Sequence, residues 1–229
     1  MDASNKSSSR KSLLLATSIV IAILAADQFL KFWVKTTMIP GNVGEIQVLG
    51  DWFRLHFTEN DGMAFGLELP GTWGKLVLTL FRLVAVTGII YYLRMQAKMK
   101  ATTSTIVLLA LILGGALGNI IDSVFYGQWF TDGGFGISQW SSDGNEYAPY
   151  FHGKVVDMFY FPLFDGTYPS WFPYVGGKSF TFFSAIFNVA DAAISVGLFS
   201  ILIFKRSLFN SKTEGKVATP EQQEVASKV

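Results

Sequence analysis

Four long stretches of this chain are apolar almost throughout, and shorter segments of different pattern separate them. Residues 12–34 (SLLLATSIVIAILAADQFLKFWV), 76–93, 104–125 and about 180–204 are each near or above the roughly 20 residues that a helix needs to cross a bilayer. In DWFRLHFTEN, residues 51–60, Phe53, Leu55 and Phe57 alternate with Arg54, His56 and Thr58, the period of a half-buried strand. The next run, NDGMAFG at 60–66, holds two glycines and predicts a turn or a close backbone approach. A glycine- and aromatic-rich segment from Gly127 to Lys154 predicts a hairpin or loop. It ends in VVDMFYF, 155–161, an apolar strand broken by one acid, Asp157. Both chain ends, about 1–11 and 207–229, are polar and low in aromatics, and predict disorder.

Composition sharpens the class. Half of the 229 residues are hydrophobic and the mean hydropathy is +0.37, more apolar than a soluble domain of this size. A net charge of +1 gives no support for a nucleic-acid partner. With no cysteine, thiolate catalysis, disulfides and cysteine metal sites are excluded. His56 and His152 stand far apart and outside any H-E-x-x-H pattern, so a zinc peptidase is not expected, nor any other metal or cofactor.

Basic residues orient the bundle. Lys6, Arg10 and Lys11 precede the first span, Arg94, Lys98 and Lys100 fill the second connection, and Lys205 and Arg206 follow the fourth. Four crossings put these on one side, the cytoplasm by the positive-inside rule, so segments 35–75 and 126–179 face outward. Residues 1–26 also have the basic start and apolar run of a secretory signal. The continuation DQFLKFWV decides against that reading once its motif is recognised. The expected domains are a polar cytoplasmic N-terminus (1–11), a single membrane domain (12–206) and a polar cytoplasmic tail (207–229).

Polar groups then recur at one depth. At 1.5 Å per helical residue, Asp191 lies about 21 Å above Lys205, and Asp27 and Asn119 lie about 22 Å above Ser12 and Ser104. Asp122 sits one turn higher. Asn119/Asp122 and Asn188/Asp191 are i,i+3 pairs on single helix faces, and Asp27 and Lys31, at i,i+4, are spaced to pair. Gly114, Gly115 and Gly118 let a neighbouring helix approach the third span. Any one of these polar groups could be interhelical glue, but together intramembrane acids favour function. Arg82, inside the second span, either neutralises one of the acids or snorkels outward; sequence leaves both open.

No G-x-S-x-G occurs, and no histidine lies in a span to activate a serine. Carboxylates and amides are what the spans offer. Asp157 and Asp191 both approach the outer boundary, and two neighbouring carboxylates in a poorly hydrated site share a proton. One then serves as general base on water and the other as general acid, which is aspartic peptidase chemistry.

These motifs together resemble lipoprotein signal peptidase (signal peptidase II), a family of bacterial membrane aspartic peptidases. The likeness runs from about 13 to 204. It rests on Asp27-Gln28-x-x-Lys31, on Asn60 to Gly66, on Gly114 to Asp122 (GGALGNIID), on Val155-Val156-Asp157 and on Phe187-Asn188-x-x-Asp191. The resemblance implies a membrane α-helical fold, a four-transmembrane-helix bundle with a small β-rich extracytoplasmic cradle. It implies Asp157 and Asp191 as the catalytic dyad. Asn60, Gly62, Asn119, Asp122 and Asn188 would bind substrate or position the dyad, with Asp27 and Lys31 as support. The implied partner is a prolipoprotein cut on the amino side of its diacylglyceryl-modified cysteine, in the bacterial inner membrane, by a monomeric enzyme surrounded by lipid. The aromatic outward segments would clamp the lipid-bearing peptide.

Two features depart from the family. An arginine usually follows the third-span aspartate, where this chain has Ser123; its role is either lost or moved, with Lys154 and Arg54 as the candidates. The stretches Asp122–Asp157 and Asp157–Asp191 are also longer than the family's. The rival reading, a small proton-coupled transporter or channel, explains intramembrane acids equally well but predicts repeats and broken helices that the sequence does not show. A scaffold using the acids as glue leaves Asp157 unexplained.

Overall fold

The computed structural model describes residues 3–61, 72–134, 136–142 and 144–210. Four helices form the bundle: α1 (Ala3–Thr37), α2 (Thr72–Lys98), α3 (Thr103–Ile121) and α5 (Val189–Asn210). α3 continues through a π-helical turn, Asp122–Tyr126, into the short α4, Gly127–Trp129. Three of these helical segments are long and apolar enough to cross a membrane, and the apolar part of α5, Val189–Phe204, is shorter. α3 is central and packs against α5, α1 and α2. Its glycines make this possible: a Cβ on Gly115 would stand 2.2 Å from the Ala190 carbonyl oxygen, and one on Gly118 2.6 Å from Asp27 Oδ2. α1, α2 and α5 turn large apolar side chains outward, among them Ile21, Phe29, Phe81, Val84, Phe199 and Ile203. A surface of that kind suits lipid rather than water.

The cradle is a four-stranded antiparallel sheet in the order β1-β2-β3-β6, built from β1 (Ile46–Leu49), β2 (Phe53–Asn60), β3 (Val155–Tyr160) and β6 (Ile186–Phe187). The alternation read in 51–60 thus becomes β2, and VVDMFY becomes β3. Val34 of α1 and Met38 just past its end, Phe57, Val156 and Met158 of the sheet, and Tyr126 and Phe130 form one apolar cluster that seats the sheet on the helices. Lys35 is buried there, paired with Glu59 and lying 5.2 Å and 4.9 Å from the ring centres of Phe130 and Tyr147.

Two expectations change and a third holds. The N-terminal segment is not wholly irregular, because α1 begins at Ala3; it contains neither glycine nor proline, and extending a formed helix is far easier than nucleating one. The tail beyond Asn210 lies outside the described residues. The fourth span does not begin near 180. Residues 179–182 are β5, paired with β4 (Phe164–Thr167), and Ile186–Phe187 pair with β3, so the helix starts only at Val189. Hydropathy cannot separate an apolar strand from the apolar helix that follows it. Finally, the 127–154 segment is mostly loop, tied by single bridges between Phe130 and Trp140 and between Thr131 and Glu146.

Between Asp157 and Asp191, in the stretch expected to exceed the family's length, lies the β4–β5 hairpin. One face carries Phe164, Phe180 and Phe182, the outer two stacked at 4.8 Å, and the other carries Asp165 bonded to Thr181. Gly166 is required there, since a Cβ would meet the Phe180 ring at 2.7 Å.

Candidate active site

Asp157 and Asp191 arrive from different elements. Asp157 is buried in the middle of β3, opposite Thr58 of β2. Asp191 lies in the first turn of α5, not in mid-helix, and is half-buried. A carboxylate at that end of a helix faces the positive pole of the backbone dipoles, one reason the position tolerates an acid.

Asn188 joins the two. Its Oδ1 accepts from the Asp191 backbone N–H at 2.9 Å, capping the helix. That bond fixes which way the amide points, so its Nδ2 is delivered to Asp157 Oδ1 at 2.6 Å, and also lies 3.2 Å from Asn119 Oδ1 and from the Val156 carbonyl. Asn119 is oriented by the same logic. Its Oδ1 accepts from Lys31 Nζ at 2.9 Å, and an ammonium can only donate. Asn119 Nδ2 therefore turns to Asp191 Oδ1, at 2.7 Å. Asn60, at the end of β2, donates from Nδ2 to the second oxygen of Asp157. Each carboxylate thus receives amide donors whose orientation is set by a cap, a cation or a strand end.

Behind this relay lies a charged support. Lys31 Nζ is 2.9 Å from Asp27 Oδ2 and 2.7 Å from Asp122 Oδ2, and all three side chains are fully buried. Asp122 also accepts from Gln28 Nε2 at 2.9 Å and from the Val156 N–H at 3.3 Å, so it grips the residue next to Asp157. Asp27 accepts from the Ala190 N–H at 2.9 Å, gripping the residue next to Asp191. Asp122 is fully buried, so it acts on Asp157 only through these neighbours. Two members of this support do not stand out in the sequence: Gln28, visible only as part of a motif, and Tyr126, whose hydroxyl donates to Gln28 Oε1 at 3.2 Å. The i,i+3 spacing of Gln28 and Lys31 is the signal that could have found the first. Gly62 and the rest of the 62–71 segment lie outside the described residues.

Burial, and next the charge of Asp191, push the Asp157 carboxyl up to about 7. Asp157 therefore keeps its proton up to about pH 7, where an isolated carboxyl has long lost its own.

The cations expected to replace the family's arginine are placed elsewhere. Arg54 pairs with Glu45 at 2.9 Å, toward the far end of the sheet, and Lys154 lies 4.0 Å from Glu59. The guanidinium that meets Ser123 belongs to Arg82, whose Nη1 donates to Ser123 Oγ at 3.1 Å. Of the two options open for Arg82, the structure shows an inward side chain, not one snorkelling to the surface.

Comparisons with known proteins agree with this picture. The family model described as signal peptidase (SPase) II matches residues 19–207. A lipoprotein signal peptidase of Porphyromonas gingivalis (strain ATCC 33277) is 44% identical over 208 residues, covering 90% of this chain and 89% of the relative. One from Amoebophilus asiaticus is 40% identical over 204 residues, covering 87% and 81%. Two solved structures, both titled bacterial membrane enzymes determined by the in meso method, are similar at TM-scores of 0.54 and 0.55. They are 21% identical to this chain and cover 87% and 86% of it, with 92% and 94% of their own lengths matched. At that identity they bear on the fold alone.

Proposed function

This chain belongs to the signal peptidase II family, peptidases that cleave signal peptides from prolipoproteins, and from that premise we propose that it is an aspartic endopeptidase with Asp157 and Asp191 as its catalytic dyad. The observation that carries the reading is the relay through Asn119 and Asn188, which bonds one asparagine amide to each carboxylate and the two amides to each other. The transporter reading finds no support among the relatives.

The chemistry follows from the shared proton. In the singly protonated pair, the ionised carboxylate takes a proton from water as that water attacks the scissile carbonyl. The protonated partner donates to the carbonyl oxygen; as the resulting diol collapses, the proton taken from water passes to the leaving amine and the partner regains its own. Asp191, the more open of the two, is the side from which water and peptide enter. Asn60, Asn119, Asn188 and buried Asp122 hold the dyad, and Asp27 and Lys31 anchor that scaffold. The substrate is a prolipoprotein cut on the amino side of its diacylglyceryl cysteine. The enzyme works as a monomer in the bacterial inner membrane, with both termini cytoplasmic and the dyad near the outer face.

Purified protein in detergent should shift a diacylglyceryl prolipoprotein to a smaller product on a gel, and the unlipidated form should stay uncut. No cleavage by wild-type protein sinks the reading. The same assay run against pH has a directed outcome. Asp157 keeps its proton up to about pH 7, so the singly protonated pair is lost as pH rises through that value. Turnover should fall on the alkaline side, by about tenfold per unit once well past the midpoint. A rate still climbing at pH 9 excludes a shared proton.

Topology is checked with reporters. Fusions after Lys98 or at the C-terminus should read cytoplasmic, and an insertion near Gly144 should read external, because the basic residues mark the inner side. An external C-terminus means an odd number of crossings.

A further inference from the structure

Arg82 lies within α2, twelve residues above Arg94. That is about 18 Å at helical rise, close to the ~21 Å that separates Asp191 from Lys205. A long cation at such a depth ordinarily snorkels toward water. This one turns inward and donates from Nη1 to Ser123 Oγ, a buried hydroxyl on the π-helical turn beside Asp122. Ser123 is an oriented acceptor: its own proton goes to the Asn119 carbonyl at 2.9 Å, so its lone pairs face the guanidinium. π-turns of this kind recur at functional sites because they re-aim side chains. The acids whose charges act on Arg82 are Asp191 first, then Asp122 and Asp157. Asp122 already has Lys31 at 2.7 Å. Ser123 bonds the backbone of Asn119, whose amide serves Asp191, so the guanidinium stands against the residues that hold the dyad.

Resting on the dyad reading above, we propose that Arg82, aimed by Ser123, is a substrate-binding residue that donates to a peptide carbonyl flanking the scissile bond. A peptide drawn into a site walled by helices and lipid brings carbonyls that have lost their water, and each needs a donor. The dyad's asparagines are committed to the carboxylates. A guanidinium carries five N–H donors in a rigid fork, enough to serve several acceptors at once, a serine hydroxyl and a peptide carbonyl among them. The competing role is charge balance alone, for which any cation would serve.

Steady-state cleavage of a diacylglyceryl prolipoprotein by full-length protein in detergent separates the two roles. Arg82→Gln should lower kcat/KM by about 10- to 100-fold, the range of one hydrogen bond to a charged group, with most of the loss in KM. Arg82→Lys keeps the charge without the fork and should recover little of it. The double variant Arg82→Ser/Ser123→Arg presents a guanidinium from α3 near the same point, and should regain at least about tenfold over Arg82→Ser alone. An Arg82→Lys enzyme with wild-type kcat/KM overturns the proposal in favour of charge balance, and decides the matter even where Arg82→Gln is not recovered folded. Failure of wild-type protein to cleave refutes the peptidase reading itself. Wild-type cleavage with an indifferent Arg82→Lys refutes only the substrate-binding role of Arg82.

Discussion

Asp157→Asn and Asp191→Asn should each abolish cleavage of a diacylglyceryl prolipoprotein, by at least about the 10²–10⁴-fold that general acid–base catalysis supplies. Asparagine keeps the shape of the side chain and can still bond Asn188 or Asn119, but it cannot exchange a proton. The two acids act as a unit, so the double variant should be little worse than either single one. Neither change should unfold the protein, since a neutral amide is easier to bury than a carboxylate. For Asp157 the direction can be worked out. Its folded value of about 7 lies above the ordinary 3.8, so the folded state binds more protons than the unfolded one between those values. Stability from this group therefore falls as pH rises through that window. Asp157→Asn removes the dependence and should melt no lower than wild type at pH 8. If the acids were interhelical glue, the result would be the reverse, lost stability with retained turnover. Near wild-type cleavage by purified Asp191→Asn would end the dyad assignment.

Lys31→Met should be the most destabilising single change among the support residues. It leaves Asp27 and Asp122, both fully buried, facing each other without their cation. Removing one partner from a buried ion pair typically costs about 3–5 kcal/mol. It also withdraws the donor that orients Asn119, so the amide serving Asp191 is free to flip and activity should fall with stability. Lys35→Met is the matched control. Lys35 is equally buried, but its partner Glu59 is 20% exposed and can return to water, so the loss should be smaller. Thermal unfolding in one detergent compares them, and a Lys31→Met protein melting with wild type would rule out a structural role for the triad. Returning the cluster to its original net charge with Lys31→Met/Asp122→Asn should recover part of the stability but not the orientation of Asn119.

Much of this molecule is legible along the chain because lipid imposes a simple rule. A spanning segment must be long, apolar and helical, so the first three helices show in hydropathy alone. Acids and amides placed inside such segments are costly enough to advertise themselves, which is why Asp27, Asn119 and Asp122 could be picked out and matched in depth. Period two in residues 53–57 likewise announced β2, although Phe57 alone of that strand is fully buried and its neighbours on both faces are half-buried.

The start of the last helix was not legible, since Phe180–Phe187 is as apolar as the helix it precedes. Only pairing with β3 and β4 makes those residues strands, and only then does Asp191 become a first-turn residue capped by Asn188. Tertiary structure likewise decided the destination of Arg82, which depends on where α2 lies against the π-turn of α3. It decided as well which donor occupies the side-chain oxygen of each asparagine, and hence which carboxylate each amide nitrogen serves. Sequence by itself determined which chemical groups are present and how deep each one sits, because depth follows from helical rise. Which group meets which was set by packing, because a hydrogen bond depends on side chains converging from helices and strands up to 163 residues apart in the chain.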